Sequence, residues 1–204
     1  MARPSQDPQI RITEILDTAE HLFTVKGYFG TTVSDIAKGM GVTQGMFYYY
    51  FKSKEEILEA LLNRQVAFFL AEIKEMTYSP AAPADKLGFM ISTVIKNVRA
   101  HGEVLLHTLY HEQNLHIKNK LSRGVTLMLT PLGLAIIEEG KSRHDFNVLH
   151  PQTALSFIML IIEFLIDALY EKLSEELMAL RLRMAEALVE QAVGVQTGSI
   201  HILL

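Results

Sequence analysis

Apolar residues recur along this chain at the three- and four-residue spacing of helices. Ile12, Ile15, Leu16, Ala19, Leu22 and Phe23 form the first such stripe, one face of an amphipathic helix. Asp7 and Pro8 open it well, because Asp caps free amides and Pro lacks an N–H that would be unsatisfied there; Gly27 closes it. Two short segments follow, about 33–40 and 44–51. Ser53-Lys54-Glu55-Glu56 then reads as a capping box, serine and glutamate satisfying each other's amides, ahead of a long helix carrying Ile57, Leu58, Leu61 and Leu62. Pro80 and Pro83 end it.

Leu87, Ile91, Val94, Ile95 and Val98 predict a further helix closing near Gly102, and 104–115 a shorter one. A helical stretch over about 117–139 is expected to kink at Pro131. Residues 141–150 read as a polar loop, 151–172 and 174–193 as the last two helices, and 194–204 carries no assignment. Strand alternation does not extend beyond a brief link at 28–33. The fold class is all-α.

The 204 residues are 49% hydrophobic with only 12 Gly and 6 Pro, the composition of a chain that buries a core. The absence of cysteine excludes disulfides, thiolate metal sites and a cysteine nucleophile. The polar N-terminus has no apolar signal core. The most hydrophobic segment, 154–169, is interrupted by Glu163 and Asp167, short of the roughly 18 apolar residues that span a bilayer. It reads as a buried helix, with no membrane partner and a cytoplasmic location expected. The net charge of −4 divides unevenly, with 6 basic and 5 acidic residues over 1–54 against 13 and 18 beyond. That asymmetry is too slight to argue nucleic-acid binding by itself.

The informative stretch is 31–54, TTVSDIAKGMGVTQGMFYYYFKSK. Read as two helices joined by a tight turn, it puts Gly41 where a positive φ is needed and small Ala37 where the helices cross. Ile36, Met40, Val42 and Phe47 then point into the crossing. Phe51 joins them, with Tyr50 sharing that side. Thr43, Gln44, Met46, Tyr48 and Tyr49 are left facing outward, the arrangement by which projecting side chains read base edges in a major groove. Lys52 and Lys54 suit phosphates.

These residues resemble the DNA-binding domain of the TetR family of transcriptional regulators. The likeness covers about 10–62 and rests on three parts: KGYFGTTV, DIAKGMGV and YYYFKSKEEIL. The resemblance implies a homodimer that places recognition helices in successive major grooves of operator DNA, and a C-terminal helical domain that binds an effector and dimerises. On that basis a DNA-binding domain spans 8–68, with its helix-turn-helix at about 33–51, and an effector-binding and dimerisation domain spans 69–204. Carried over, Thr43, Gln44, Gly45 and Met46 open the recognition helix, Tyr48, Tyr49 and Lys52 contact DNA, and Thr32 caps the support helix near the backbone. Gly39 and Met46 depart from the family pattern, so the bases read cannot be copied from relatives. The chain is read as no enzyme, with no catalytic residues, cofactor or metal; the alternative is a helical ligand- or metal-binding protein or enzyme that keeps the motif as scaffold.

Other features bear on the C-terminal half. His101, Glu103, His107, His111, Glu112 and His116 cluster in sequence. His107 and His111, four apart, could share a face and a metal, yet the glutamate of a H-E-x-x-H site is missing; solvated surface and pocket lining remain alternative readings. Glu163 and Asp167 form a carboxylate pair inside the most apolar helix, read as reaching solvent or a basic partner such as Arg181 or Arg183, or else a pocket. Segment 151–172 is apolar on more than one side. Together with Leu173, Leu177, Leu180, Met184 and Leu188 it suggests a four-helix dimer interface. An effector pocket is expected among Phe68, Phe69, His107, Tyr110 and His111 and the stretch near Pro131, for a small, largely apolar molecule.

Overall fold

The computed structural model describes residues 7–204, without the side chains of residues 101–104. The described residues form α1 (Pro8–Lys26), α2 (Val33–Gly39), α3 (Gln44–Tyr50), α4 (Lys54–Thr77), α5 (Pro83–Tyr110), a single 3₁₀ turn (Glu112–Asn114), α6 (Leu115–Ser142), α7 (Pro151–Tyr170) and α8 (Glu175–Val193). The caps are those the sequence offers. Asp7 accepts from the Gln9 amide at 2.9 Å, Pro8 takes the first helical position, and Gly27 stops α1 at φ 75°.

Two apolar cores share α4. Its first half contributes Ile57, Leu58, Leu61 and Leu62 to a cluster with Ile15, Phe23, Ile36 and Phe47. Its second half places Val66, Phe69 and Ile73 in a larger cluster built by α5 to α8. Arg64 fastens α1 to α4 between the two, donating to Asp17 at 2.6 Å and to Glu20 at 2.7 Å.

One local expectation gives way to packing. Gly102 does not end a helix: α5 runs unbroken for 28 residues, because packing against α4, α6 and α7 outweighs the roughly 1 kcal/mol that an interior glycine costs. The helical stretch expected over 117–139 is α6, which continues across Pro131. The carbonyl that loses its partner there belongs to Leu127, and both residues are exposed, so water can satisfy it. The C-terminal segment is ordered by two carboxylates. Glu190, buried, accepts the amides of Gly198 and Ile200 at 2.8 and 3.0 Å, Glu186 accepts that of Ile202, and Ile200 and Ile202 enter the core.

By length and composition alone α7, 20 residues with a mean hydropathy of 1.9, could cross a membrane, as could 112–142. In the fold α7 turns Ala154, Leu155, Ile158, Ile162 and Leu165 into the core. Phe157, Leu160 and Phe164 remain exposed on the other side, as do Leu177, Leu180, Met184 and Leu188 of α8.

Candidate functional site

The support helix α2 starts with a reciprocal cap: Asp35 N–H donates to Thr32 Oγ1 at 3.1 Å, and Thr32 N–H donates to the Asp35 carboxylate at 2.9 Å. The Thr32 hydroxyl also donates to that carboxylate, at 2.6 Å. Led by this hydroxyl, the hydrogen bonds hold the Asp35 carboxyl down at about 2. After α2 the chain reverses through Gly41 at φ 65°, where any side chain would be strained, and the Val42 amide returns to the Ala37 carbonyl at 3.0 Å. Thr43 caps α3 through the Met46 amide at 3.4 Å. Gly39 has its reason too. A Cβ there would sit 3.0 Å from Thr18 Cγ2, so the residue that weakens α2 also lets α1 approach.

On α3 the aromatic residues divide by face. Phe47 is 1% exposed and Phe51 8%, with Tyr50 packed partly against them. Tyr48 is 51% exposed and Tyr49 81%. Thr43, Gln44, Gly45 and Met46 lie exposed at the start of the same helix, and Lys52 is exposed just past its end. The Lys52 amide donates to Glu56 Oε2 at 2.7 Å, while Ser53 Oγ accepts from the Glu56 amide at 3.2 Å. The expected capping box is therefore shifted: Glu56 reaches past Ser53 and pins the backbone of Lys52 beside the recognition face.

Lys54 is engaged within the fold. Its Nζ donates to the carbonyls of Tyr28 at 2.7 Å and Thr31 at 2.9 Å and lies 4.2 Å above the Tyr28 ring. Burial lowers its pKa. It clamps the link between α1 and α2 to the start of α4, because the turn carbonyls need donors and the first position of α4 points back at them. A phosphate would have to compete with both carbonyls.

Behind α4 lies a cavity of about 330 Å³, at the small end of the range for small-molecule sites. Its walls are mostly aliphatic, from α4 (Leu62, Val66, Phe69), α5 (Val94, Val98, Leu109), α6 (Leu121, Val125, Leu129) and α7 (Met159, Ile162, Ile166). Gln65, Asn97, Asn119 and Thr126 also line it, and a further group of polar side chains gathers where α5, α6 and α7 meet. There the Tyr110 hydroxyl donates to Asp167 Oδ1, Ser122 Oγ donates to Glu163 Oε1 at 2.6 Å, and Lys118 Nζ lies 3.8 Å over the Tyr110 ring and 4.0 Å from Asp167. Burial, reinforced by the bond to Asp167, pushes the Tyr110 phenol above its ordinary value.

The model of the bacterial regulatory proteins of the tetR family matches residues 15–61. The fatty acid metabolism regulator protein of Bacillus subtilis is 30% identical over 140 residues, covering 66% of this chain and 72% of its own. The transcriptional repressor KstR2 of Mycolicibacterium smegmatis is 30% identical over 154 residues, covering 71% and 73%. The chain belongs to the TetR family. It is a DNA-binding transcriptional regulator and not an enzyme. Among solved TetR-type structures, FadR from Bacillus subtilis in complex with stearoyl-CoA is 25% identical with a TM-score of 0.65, covering 93% of this chain and 99% of that one.

In this TetR chain the expected pocket residues separate. Phe69 and Tyr110 line the cavity. Phe68, the neighbour of Phe69 on α4, is 63% exposed and does not line it. His107 and His111 do not share a helical face, because α5 stops at Tyr110 and His111 is extended. They line a separate groove with Phe29 and Tyr170, outside the cavity. His107 meets the edge of Tyr170, whereas His111 packs on Phe29 with 4.4 Å between ring centres and accepts from the Gln113 amide. His101 and Glu103 lie outside the described residues. Among the described residues no three His, Asp or Glu side chains converge as a metal cluster.

Glu163 and Asp167 both line the cavity and reach solvent, as the sequence reading allowed; the basic residue beside Asp167 is Lys118, while Arg181 pairs with Glu171 at 2.9 Å. Sequence reasoning missed Lys118 and Ser122, which come from a different helix. The only available signal was the carboxylate pair, out of place in so apolar a segment.

Proposed function

We propose that this TetR regulator is a repressor that binds a near-palindromic operator as a homodimer through α3 and is released by a small, largely apolar effector in the cavity behind α4. One observation carries the reading. Val66 and Phe69 of α4 line the cavity, Ile57, Leu58 and Leu61, roughly one to three turns earlier, lock the helix-turn-helix core, and Leu62 between them belongs to both. A ligand that displaces the far end of α4 must move the recognition helix with it, a rigid-body switch.

Thr43, Gln44, Gly45 and Met46 then meet base edges, Met46 on a thymine methyl, and Tyr48, Tyr49 and Lys52 meet the backbone or neighbouring bases. Thr32 approaches the backbone from the start of α2. The proposed division at about residue 68 lies a few residues beyond the changeover between the two cores, which runs between Leu62 and Val66 of α4. The exposed stripes of α7 and α8, Phe157 to Phe164 and Leu177 to Leu188, become the subunit interface. The repressor role is supported by KstR2, and an acyl-bearing effector class by the complex of FadR with stearoyl-CoA. A regulator of this kind works in the cytoplasm, where the DNA is.

Selection from random DNA tests the reading. Wild-type protein should enrich a near-palindrome with half-sites about one helical turn apart, and a cavity ligand should bind free protein more tightly than the DNA complex by the factor that it weakens operator binding. No enrichment, or equal ligand affinity in both states, overturns it.

A further inference from the structure

We infer that Gln65 is the positioning residue through which the cavity governs the DNA-binding unit: its hydrogen bond to Glu20 seats α1 on α4 in the operator-binding state, and an effector in the cavity breaks that bond. The inference deepens the effector reading above and rests on the cavity being the effector site.

Gln65 belongs to both halves of the molecule. It lines the cavity with Val66 and Phe69 of α4, and its Nε2 donates to Glu20 Oε1 on α1 at 3.1 Å. Glu20 is held in place for it, because Arg64 donates to the other oxygen of the same carboxylate at 2.7 Å. Other polar lining groups turn the opposite way: Tyr110, Ser122 and Lys118 have their carboxylate partners on α7. The route from α4 to the recognition helix also runs through α1, since α4 packs on α1, α1 on α2 and α2 on α3. A change in how α1 lies on α4 therefore moves α3 as well. A dimer on a palindrome needs its two recognition helices at one spacing, so a fixed seat for α1 suits the operator-binding state.

A hydrogen bond at this point switches in a way that the aliphatic wall does not. Leu62 and Leu109 also line the cavity and join the helix-turn-helix core, but apolar contacts are non-directional and survive small shifts. An N–H···O bond weakens steeply once its angle falls below about 120°, so a ligand that turns the Gln65 side chain within the wall releases Glu20. The released N–H then finds an acceptor in the carbonyl of an acyl group, in keeping with the acyl-bearing effector class.

The test takes the full chain, the operator recovered by selection, and octanoyl-CoA and stearoyl-CoA as probes, with operator affinity read by fluorescence anisotropy with and without saturating probe. A bond made in one state only can be lost from that state only. Gln65→Met, which keeps the bulk of the side chain and removes its donor, should therefore weaken operator binding about fivefold without probe and leave it unchanged at saturation, so that the factor by which the probe weakens binding shrinks about fivefold. Glu20→Ala added to Gln65→Met should not shrink it further. Gln65→Leu gives the same reading should the methionine variant not fold, with far-UV circular dichroism as the check. If both states weaken alike and the probe's factor keeps its wild-type value, Gln65 and Glu20 form a structural clasp only, and the inference falls while the effector reading stands. If neither probe weakens operator binding by wild type, or the response survives in Val125→Phe, which fills the cavity from α6, the effector reading falls and the inference with it.

Discussion

On α3, Tyr48 and Tyr49 stand in solvent on a helix of seven residues; around the cavity, Tyr110 is drawn inward on to Asp167 by helices of 28 and 20. The same residue type serves opposite ends because the supports differ. The short helix cannot hold itself. It is fixed by a threonine cap at one end, Phe47 and Phe51 beneath, and Glu56 pinning the next turn, so its outer face is free of structural duty. The long helices are held along their length by packing on one another. Where they fail to fill the space between them a hollow remains, and the polar groups at its edge satisfy one another. The comparison teaches that one region presents side chains outward from a tightly closed core, and the other keeps a core open enough to admit a molecule.

The largest test of this contrast lies on neither face. If exposed α7 and α8 join two subunits, Leu180→Asp should give a monomer by sedimentation and weaken operator binding by on the order of a hundredfold, because two linked half-sites become one, with the helical signal kept. A monomeric wild-type protein that binds a palindrome tightly would break it.

Next comes the C-terminal core. Lys86 is 2% exposed and its Nζ donates to Glu139 at 2.6 Å, a bond that holds the Glu139 carboxyl below its usual range. Glu139→Gln leaves the buried ammonium without its counter-charge. It should lower stability by about 2 kcal/mol, less than for a fully buried pair because Glu139 is part-exposed, read as a fall in Tm with recognition by α3 unchanged. Acid should act in the same direction: since the folded-state pKa is depressed, the contribution is present above the ordinary glutamate range and fades as pH falls through the folded value.

On α3 the expected effects are smaller and differ in kind. Gln44→Ala or Met46→Ala should cost about 1 kcal/mol at particular base pairs, measured by repeating the selection. Lys52→Ala should weaken all sequences alike and reduce the salt slope by about one. Lys54→Ala should leave that slope nearly unchanged and lower stability instead, since its ammonium is held by Tyr28 and Thr31. A salt slope equally reduced by both lysine variants would put Lys54 back at the phosphates.

The smallest effect is at the α2 cap. Thr32→Ala should cost about 1 kcal/mol and let the Asp35 carboxyl rise from about 2 toward its ordinary 3.8. Wild-type Asp35 contributes fully above pH 3.8 and loses the contribution as pH falls toward 2. The variant's acid unfolding curve, followed by circular dichroism, should therefore flatten in that window.

The helices, their caps and the recognition face were legible in the sequence because each depends on neighbours within a few residues: Asp7 before Pro8, Thr32 three before Asp35, Gly41 between two short apolar stripes. The division of the tyrosines followed from the same local period. Where the sequence misled, a distant contact had overruled a local preference. Gly102 would interrupt an isolated helix, yet α5 passes through it. His107 and His111 have the spacing of a shared face, but the helix ends between them. Lys54 has the position of a phosphate ligand, but its ammonium is claimed by carbonyls 23 and 26 residues away. The cavity is the extreme case. Its polar edge joins Tyr110, Lys118, Ser122, Glu163 and Asp167 from three helices, and no period in the chain announces that they meet. Local order follows from backbone geometry and short-range hydrogen bonds, which a sequence writes in its spacing; which surfaces close, and which hollow stays open, follows from how long helices pack, and that only the tertiary structure decides.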